Sequence, residues 1–147
     1  MLVREIMTPY PAYIRMGADI RRAAEIISVS EVSHLMVLDH DDTFVGALSE
    51  DDLVRAMLPR FDDVMGGGGT MGDAFRIFLE KGREMAGRSI DTLVERDAIT
   101  VASSEQVARA AVVMTEQRLR RLPVVDAGKL AGTLSRSDIC RAVIYHS

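Results

Sequence analysis

The stretch Gly46–Asp52, which reads GALSEDD, returns 86 residues later as Gly132–Asp138, which reads GTLSRSD. The residues before each stretch match as well, since Leu35–Asp39 (LMVLD) returns as Leu122–Asp126 (LPVVD). A match that extends over several consecutive segments indicates that one supersecondary unit was duplicated. We therefore predict two like units that pack face to face about a pseudo-twofold axis, with two similar clefts between them.

Length and composition limit the class of protein. The 147 residues, 48% of them hydrophobic, are enough for one compact domain or for two small repeats that share a core. The formal net charge of −4 disfavours binding to nucleic acid, and no segment is long and apolar enough for a membrane span. The single cysteine, Cys140, allows no disulfide within the chain and fits a reducing compartment. Because the first residues also have no apolar signal core, we predict a cytoplasmic protein.

Hydrophobic periodicity predicts the element order β-α-β-β-α in each unit. For the first unit, residues 1–58, we predict a strand at 12–14, a helix with the buried stripe Ile20, Ala23, Ala24 and Ile27, strands at 34–38 and 44–48, and a helix that Ser49 caps. For the second unit, residues 89–147, we predict a strand at 99–101, a helix with the stripe Val107, Ala110, Ala111 and Met114, strands at 122–125 and 130–134, and a helix from Ser135 to near Tyr145.

The middle segment, residues 59–88, has a different composition. It contains the glycine run Gly66–Gly69, which is typical of a flexible connection. A helix is predicted after it, from Met71 or Gly72 to Met85. We interpret the segment as a linker that carries one helix.

The repeated pattern Gly-x-x-Ser-x-x-Asp has the groups that a ribose phosphate needs. A glycine late in a strand lets a ligand approach the backbone. A serine at the start of a helix lies beside free N–H groups, which suit a phosphate. An aspartate one turn later can accept hydrogen bonds from two ribose hydroxyls. The strands add an apolar slot for a base, from Ile14, Met36, Val37 and Ala47 in one unit and Val101, Pro123, Val124 and Thr133 in the other.

The same pattern has a simpler interpretation as a helix cap. Ser-x-x-Asp can form a capping box, which only satisfies N–H groups at the helix start. Gly67–Asp73 fits the pattern without a preceding strand, and we interpret it as a capped helix start. Duplication of the motif together with its strand context favours a ligand site at Gly46–Asp52 and Gly132–Asp138.

The order of these motifs resembles a tandem pair of CBS domains, the module named after cystathionine β-synthase and often called a Bateman module. The resemblance is carried by the opening Val3–Thr8, by Leu122–Asp126 and by the two Gly-x-x-Ser-x-x-Asp ends; Val3, Ile6 and Met7 match Ile90, Leu93 and Val94. It implies an α+β fold of two β-α-β-β-α repeats about a pseudo-twofold axis. It also implies regulatory binding of an adenosine derivative, namely AMP, ADP or ATP, or in some members an NAD-type ligand or S-adenosylmethionine.

The resemblance also implies roles for individual residues. Asp52 and Asp138 would hold the ribose, with Ser49 and Ser135 beside them and Ala47 and Thr133 near the base. Each aspartate would work with the opposite repeat. Asp138 would share its cleft with Met16, Ala23 and Val37, and Asp52 would face Ser103, Ala110 and Val124.

The two clefts differ in sequence. Met36 stands where the second repeat has Pro123, and Met16 stands where it has the polar Ser103. We therefore expect unequal binding and favour the cleft that combines Asp52 with Ser103, Pro123 and Val124. His34 and Arg121 occupy matching positions before a strand, where they are either phosphate contacts or solvated strand ends.

We interpret the chain as a non-enzymatic adenine-nucleotide sensor. The resemblance implies a homodimer, and we expect a protein effector that the sequence does not identify. The alternative is a ligand-free module for dimerisation or protein interaction, in which both Ser-x-x-Asp ends are caps only. No Ser/His/Asp or Cys/His arrangement, paired carboxylate or metal-ligand spacing is recognisable, so neither catalysis nor a metal is predicted.

Overall fold

The computed structural model describes residues 1–57 and 70–146. Its helices are α1 (Val3–Ile6), α2 (Ile20–Ser30), α3 (Glu50–Met57), α4 (Met71–Met85), α5 (Val107–Glu116) and α6 (Arg136–His146), with a 3-10 turn at Ile90–Thr92. Its strands are β1 (Tyr13–Arg15), β2 (His34–Leu38), β3 (Phe44–Ser49), β4 (Arg121–Asp126) and β5 (Lys129–Ser135). Each predicted helix and hairpin is present within a few residues of its predicted bounds, and the mixed α+β class is confirmed.

The two sheets differ by one strand. In the first repeat, β2 lies between a parallel β1 and an antiparallel β3, whereas β4 and β5 form a two-stranded antiparallel sheet. The strand predicted at residues 99–101 consists only of a bridge between Val101 and Val124. In the first repeat the N–H of Met36 donates to the carbonyl of Ala12 at 3.2 Å. Pro123 occupies the matching position and has no N–H to donate, so the ladder stops there.

Each repeat has its own hydrophobic core. On α2, Ile20 and Ala23 are buried against β2 and β3, and on α5, Ala110 and Met114 are buried against β4 and β5. The predicted helix stripes are therefore confirmed at these residues. Alternation along the strands divides the residues between two faces, since Leu35 and Val37 belong to the first core while the intervening Met36 does not.

The opening segment of each repeat completes the core of the other. Val3 and Ile6 of α1 pack into the second core, with Leu122 and Leu134 among the residues there. Ile90 and Val94 pack in the same way into the first core. The sequence match between these two segments therefore reflects an exchange of short apolar elements between the repeats.

Backbone hydrogen bonds hold both opening segments where each crosses the other repeat, and residues 3–11 and 90–98 are called the crossing segments below. Thr8 and Thr133 exchange two N–H···O bonds of 2.8 and 3.0 Å, and Ala47 and Glu95 exchange two of 3.1 and 2.9 Å. Each exchange lies next to a motif glycine. A Cβ on Gly46 would lie 2.1 Å from the carbonyl oxygen of Glu95.

At Gly132, a Cβ would lie 2.6 Å from the carbonyl oxygen of Thr8. Both distances are well below a van der Waals contact, so neither position accepts a side chain without a shift of backbone. Our expectation that these glycines admit a ligand is therefore corrected, because the crossing backbone occupies the space beside them.

Helix α4 is the helix predicted for the middle segment. The Oγ1 of Thr70 accepts a hydrogen bond from the N–H of Asp73 at 3.1 Å, which confirms the capped helix start. The glycine run Gly66–Gly69 and the predicted end of α3 at Leu58 lie outside the described residues. Within residues 1–57 and 70–146, no helix combines the length and apolar character that a membrane crossing needs.

Gly46→Ala tests the close crossing in the first repeat. We expect a loss of about 1–3 kcal/mol in the free energy of unfolding, because the new methyl group collides with fixed backbone. Urea unfolding followed by circular dichroism measures this loss. Gly72→Ala on α4 is the matched control, since its Cβ would meet only Thr70 Oγ1, at 3.9 Å. Equal stability of the two variants would contradict the interpretation.

Candidate functional site

Both Gly-x-x-Ser-x-x-Asp ends form capping boxes. At the start of α3, the N–H of Asp52 donates to Ser49 Oγ at 3.0 Å, and the N–H of Ser49 donates to Asp52 Oδ2 at 3.4 Å. At the start of α6, the matching bonds between Ser135 and Asp138 measure 3.1 and 2.9 Å. The capping interpretation is therefore correct as a description of both helix starts, and any ligand contact comes in addition to it.

Two clefts lie between the repeats, and each is named here after a residue of the crossing segment that lines it. The Thr8 cleft has a volume of about 400 Å³ and is lined by Thr8, Tyr10, Pro11, Ala12, Ser30, Val32, His34, Met36, Arg121 and Thr133. The Glu95 cleft has a volume of about 150 Å³ and is lined by His34, Met36, Ala47, Glu95, Asp97, Ala98, Ile99, Leu119, Arg121 and Pro123. The two sets occupy matching positions of the duplicated unit, as the duplication predicts.

His34 and Arg121 belong to both clefts. They stand at the starts of β2 and β4, and both are half-buried. The guanidinium of Arg121 donates through Nη1 to Thr133 Oγ1 at 2.7 Å. The Nδ1 atom of His34 lies 3.0 Å from Ser33 Oγ. Both side chains therefore line the clefts, the position that the phosphate-contact interpretation requires.

Asp138 is a buried carboxylate with several partners. It is 3% exposed, and Arg141 donates to its Oδ1 at 2.6 Å while the hydroxyl of Thr8 donates to the same oxygen at 3.1 Å. Burial raises the pKa of Asp138, but the hydrogen bonds from Ser135, Arg141 and Thr8 outweigh it and hold the pKa below its usual value. Asp138 therefore anchors the crossing segment as well as capping α6.

Asp52 has a more open setting. It is half-buried, and Glu95 stands at the position of Thr8 in its crossing segment. Among the residues that the structure describes, no cation lies within ion-pair distance of its carboxylate. Its oxygens therefore have fewer hydrogen-bond partners than those of Asp138, and neither aspartate lines the Thr8 cleft or the Glu95 cleft.

Several residues that the resemblance implied for the site lie elsewhere. Ala23, Val37, Ala110 and Val124 are at most 1% exposed and belong to the two cores. A buried stripe residue on a helix, or the strand neighbour of a cleft residue, points away from the cleft. None of these four lines the Thr8 cleft or the Glu95 cleft.

Met16 and Ser103 are also outside the lining of both clefts. Met16 packs against the first core. The N–H of Ser103 donates to Asp126 Oδ1 at 2.9 Å, and hydrogen bonds from the Ser103 hydroxyl and N–H lower the pKa of Asp126. Ser103 therefore closes a turn. Of the residues expected in the favoured cleft, which were Asp52, Ser103, Pro123 and Val124, only Pro123 lines the Glu95 cleft, and this cleft is the smaller of the two.

The crossing segments supply lining residues that we did not anticipate. Tyr10 and Pro11 line the Thr8 cleft, and Glu95 and Asp97 line the Glu95 cleft. The sequence signal was the pair of motif glycines, which indicated a close backbone approach without identifying the segment that approaches. Among the described residues, no group of three His, Cys, Asp or Glu side chains is placed to hold a metal ion.

Asp138→Asn tests the anchoring carboxylate. Its folded-state pKa is lowered, so the charged form stabilises the fold above the unfolded value near 3.8, and this contribution is lost as the pH falls through the folded pKa. At neutral pH we expect the variant to be less stable by about 1–2 kcal/mol. Urea unfolding from neutral pH into the acid range should show the gap narrow below the unfolded pKa. A gap independent of pH would contradict this role.

The comparisons with known proteins agree with the geometry. The family model "CBS domain" matches residues 3–59 and 88–145, on either side of the middle segment. CBSX2, a chloroplastic protein of Arabidopsis thaliana, is 28% identical over 155 residues, covering 97% of this chain and 63% of that protein. Its crystal structure has a TM-score of 0.80 to this chain at 27% identity, covering 99% and 95% of the two chains.

Two further proteins are similar to this chain. The protein MJ1225 of Methanocaldococcus jannaschii is 25% identical over 139 residues, covering 95% of this chain and 41% of that protein. The CBS domain pair of protein MJ0100 has a TM-score of 0.71 at 20% identity, covering 100% and 98% of the chains, a likeness of fold alone. This chain spans less than two thirds of the length of CBSX2 and of MJ1225. With two family matches over most of its length and the duplicated fold, the chain belongs to the CBS domain family.

Proposed function

We propose that this chain is a regulatory module that binds an adenine nucleotide of the AMP, ADP or ATP type between its two repeats. The Thr8 cleft is the observation that carries the proposal. Its volume of about 400 Å³ lies within the range of small-molecule sites, whereas the Glu95 cleft is smaller than that range. The crystal structure of CBSX2 in complex with AMP has a TM-score of 0.76 to this chain at 26% identity. This complex supports the choice of ligand class.

The lining of the Thr8 cleft divides into three kinds of group. Pro11, Val32 and Met36 offer apolar surface to a base. Thr8 and Thr133 offer hydroxyls to a ribose, and Thr8 is hydrogen-bonded to Asp138, which lies outside the lining. Arg121, whose guanidinium carries a permanent charge and several donors, is suited to a phosphate, and His34 lies near it.

Binding in this cleft would change contacts that join the repeats. Thr8 belongs to the segment that enters the second core and is bonded to Asp138, while His34 and Met36 belong to the first repeat. A ligand that touches both sides favours one relative placement of the repeats, provided that it binds that placement more tightly. We propose that a protein effector responds to this change and that the chain itself catalyses no reaction.

The alternative is a ligand-free module for dimerisation or protein interaction. It is favoured by the two complete capping boxes and by the exposed apolar end of α6, where Val143, Ile144 and Tyr145 are 62%, 70% and 78% exposed. Under this alternative the chain forms a homodimer and no adenosyl compound stabilises it.

A thermal-shift screen of nucleotide-free protein with AMP, ADP, ATP, NAD and S-adenosylmethionine tests the proposal. A ligand at 100 times its Kd stabilises a fold by about 2.7 kcal/mol, which raises the melting temperature measurably. We expect a selective rise with at least one nucleotide. Arg121→Gln should weaken binding at least tenfold, because a charged donor is lost.

Arg120→Gln is the matched control for that variant, since Arg120 is exposed and outside both clefts. It should bind as the wild type does. No rise with any of the five compounds, together with a dimer in sedimentation, would refute nucleotide binding and support the alternative.

A further inference from the structure

We infer that the two clefts are sorted by charge, so that a phosphate-bearing nucleotide enters only the Thr8 cleft and each chain binds one such ligand. This inference rests on the proposed function. It concerns the difference between two clefts that the duplication makes equivalent in position.

The crossing segments carry different charges at matching positions. Thr8 and Tyr10 line one cleft, and Glu95 and Asp97 stand at the equivalent places in the other. No carboxylate is among the described residues that line the Thr8 cleft, whereas two line the Glu95 cleft. A phosphate therefore meets two additional negative charges on the Glu95 side.

The motif aspartates increase this difference. The buried charge of Asp138 is compensated by Arg141 at 2.6 Å. Asp52 lies in the first turn of α3, the helix that follows β3, and β3 brings Ala47 to the Glu95 cleft. Within the described ranges Asp52 has no ion-pair partner. Asp52 therefore has no counterpart of the Arg141 contact that Asp138 makes.

The shared cation is held toward the Thr8 cleft. Arg121 lines both clefts, but its Nη1 donates at 2.7 Å to the hydroxyl of Thr133, which lines the Thr8 cleft and not the Glu95 cleft. A planar guanidinium held on that side offers its remaining donors there. Attraction on one side and repulsion on the other both favour a phosphate in the larger cleft.

Tyr10 is the position at which to test this inference. It is 95% exposed and has φ +54°, a conformation that Asp and Asn adopt more readily than other residues, so neither substitution threatens the fold. Tyr10→Asp gives the Thr8 cleft the charge that Asp97 gives the other cleft. Tyr10→Asn is its uncharged match, and Asp97→Asn removes the charge from the Glu95 cleft.

Isothermal titration calorimetry with AMP and with adenosine measures the effect. For the wild type we expect one AMP per chain and tighter binding of AMP than of adenosine. Tyr10→Asp should bind AMP several-fold to tenfold more weakly than Tyr10→Asn, and the two should bind adenosine equally. The difference should shrink at high salt, where charges are screened. Asp97→Asn should bind AMP as the wild type does.

Other results would overturn the inference in distinct ways. Two AMP molecules per wild-type chain would show that the Glu95 cleft accepts phosphate. Tighter AMP binding by Asp97→Asn, with equal binding by the two Tyr10 variants, would place the ligand in the Glu95 cleft. Equal affinity for AMP and adenosine would remove the role of charge while leaving nucleoside binding intact. Absence of binding by both compounds would instead refute the proposed function itself, and the charge sorting with it.

Discussion

The crossing of each repeat's opening segment over the motif glycine of the other is the contact on which the rest of the structure depends. The crossing at Gly132 fixes Thr8 to β5, and the crossing at Gly46 fixes Glu95 to β3. The segments held by these bonds place Val3 in the second core and Ile90 in the first. Because neither repeat buries its own opening segment, the two units are held together by their cores as well as by their surfaces.

The same crossings create the candidate site and make its two halves different. Each cleft lies between a crossing segment and a strand face that is turned away from the cores. Met36 is on such a face of β2. One cleft is lined by Thr8. The hydroxyl of Thr8 donates to Asp138, and Arg141 donates to the same carboxylate oxygen. The other cleft is lined by Glu95. Asp52, the motif aspartate that matches Asp138, has no ion-pair partner within the described residues. Duplication thus supplies two positions, and a few substitutions on the crossing segments give them different chemistry.

Capping already uses the groups that the resemblance assigns to a ligand at these helix starts. Asp138 accepts the N–H of Ser135 and the hydroxyl of Thr8 at once, so a ribose that approaches it must replace or share existing bonds. Under the proposed function, that requirement would couple the ligand to the anchoring of the N-terminal segment. It also explains why the pattern alone did not distinguish a cap from a binding site, since Thr70 and Asp73 make the same cap bond away from both clefts.

The sequence by itself determined the duplication, the helix stripes at Ile20 and Ala110, both hairpins and the three capped helix starts, because these follow from periodicity and bonds between residues close in the chain. Only the tertiary structure decided which of the candidate residues line the clefts, since Met36, Ala47, Pro123 and Thr133 do and Val37 and Val124 do not. Met36 and Val37 are adjacent and both apolar, yet one faces a cleft and the other a core. The exchange of opening segments, and with it the charge of each cleft, depends on contacts between residues far apart in the chain, which local patterns do not encode.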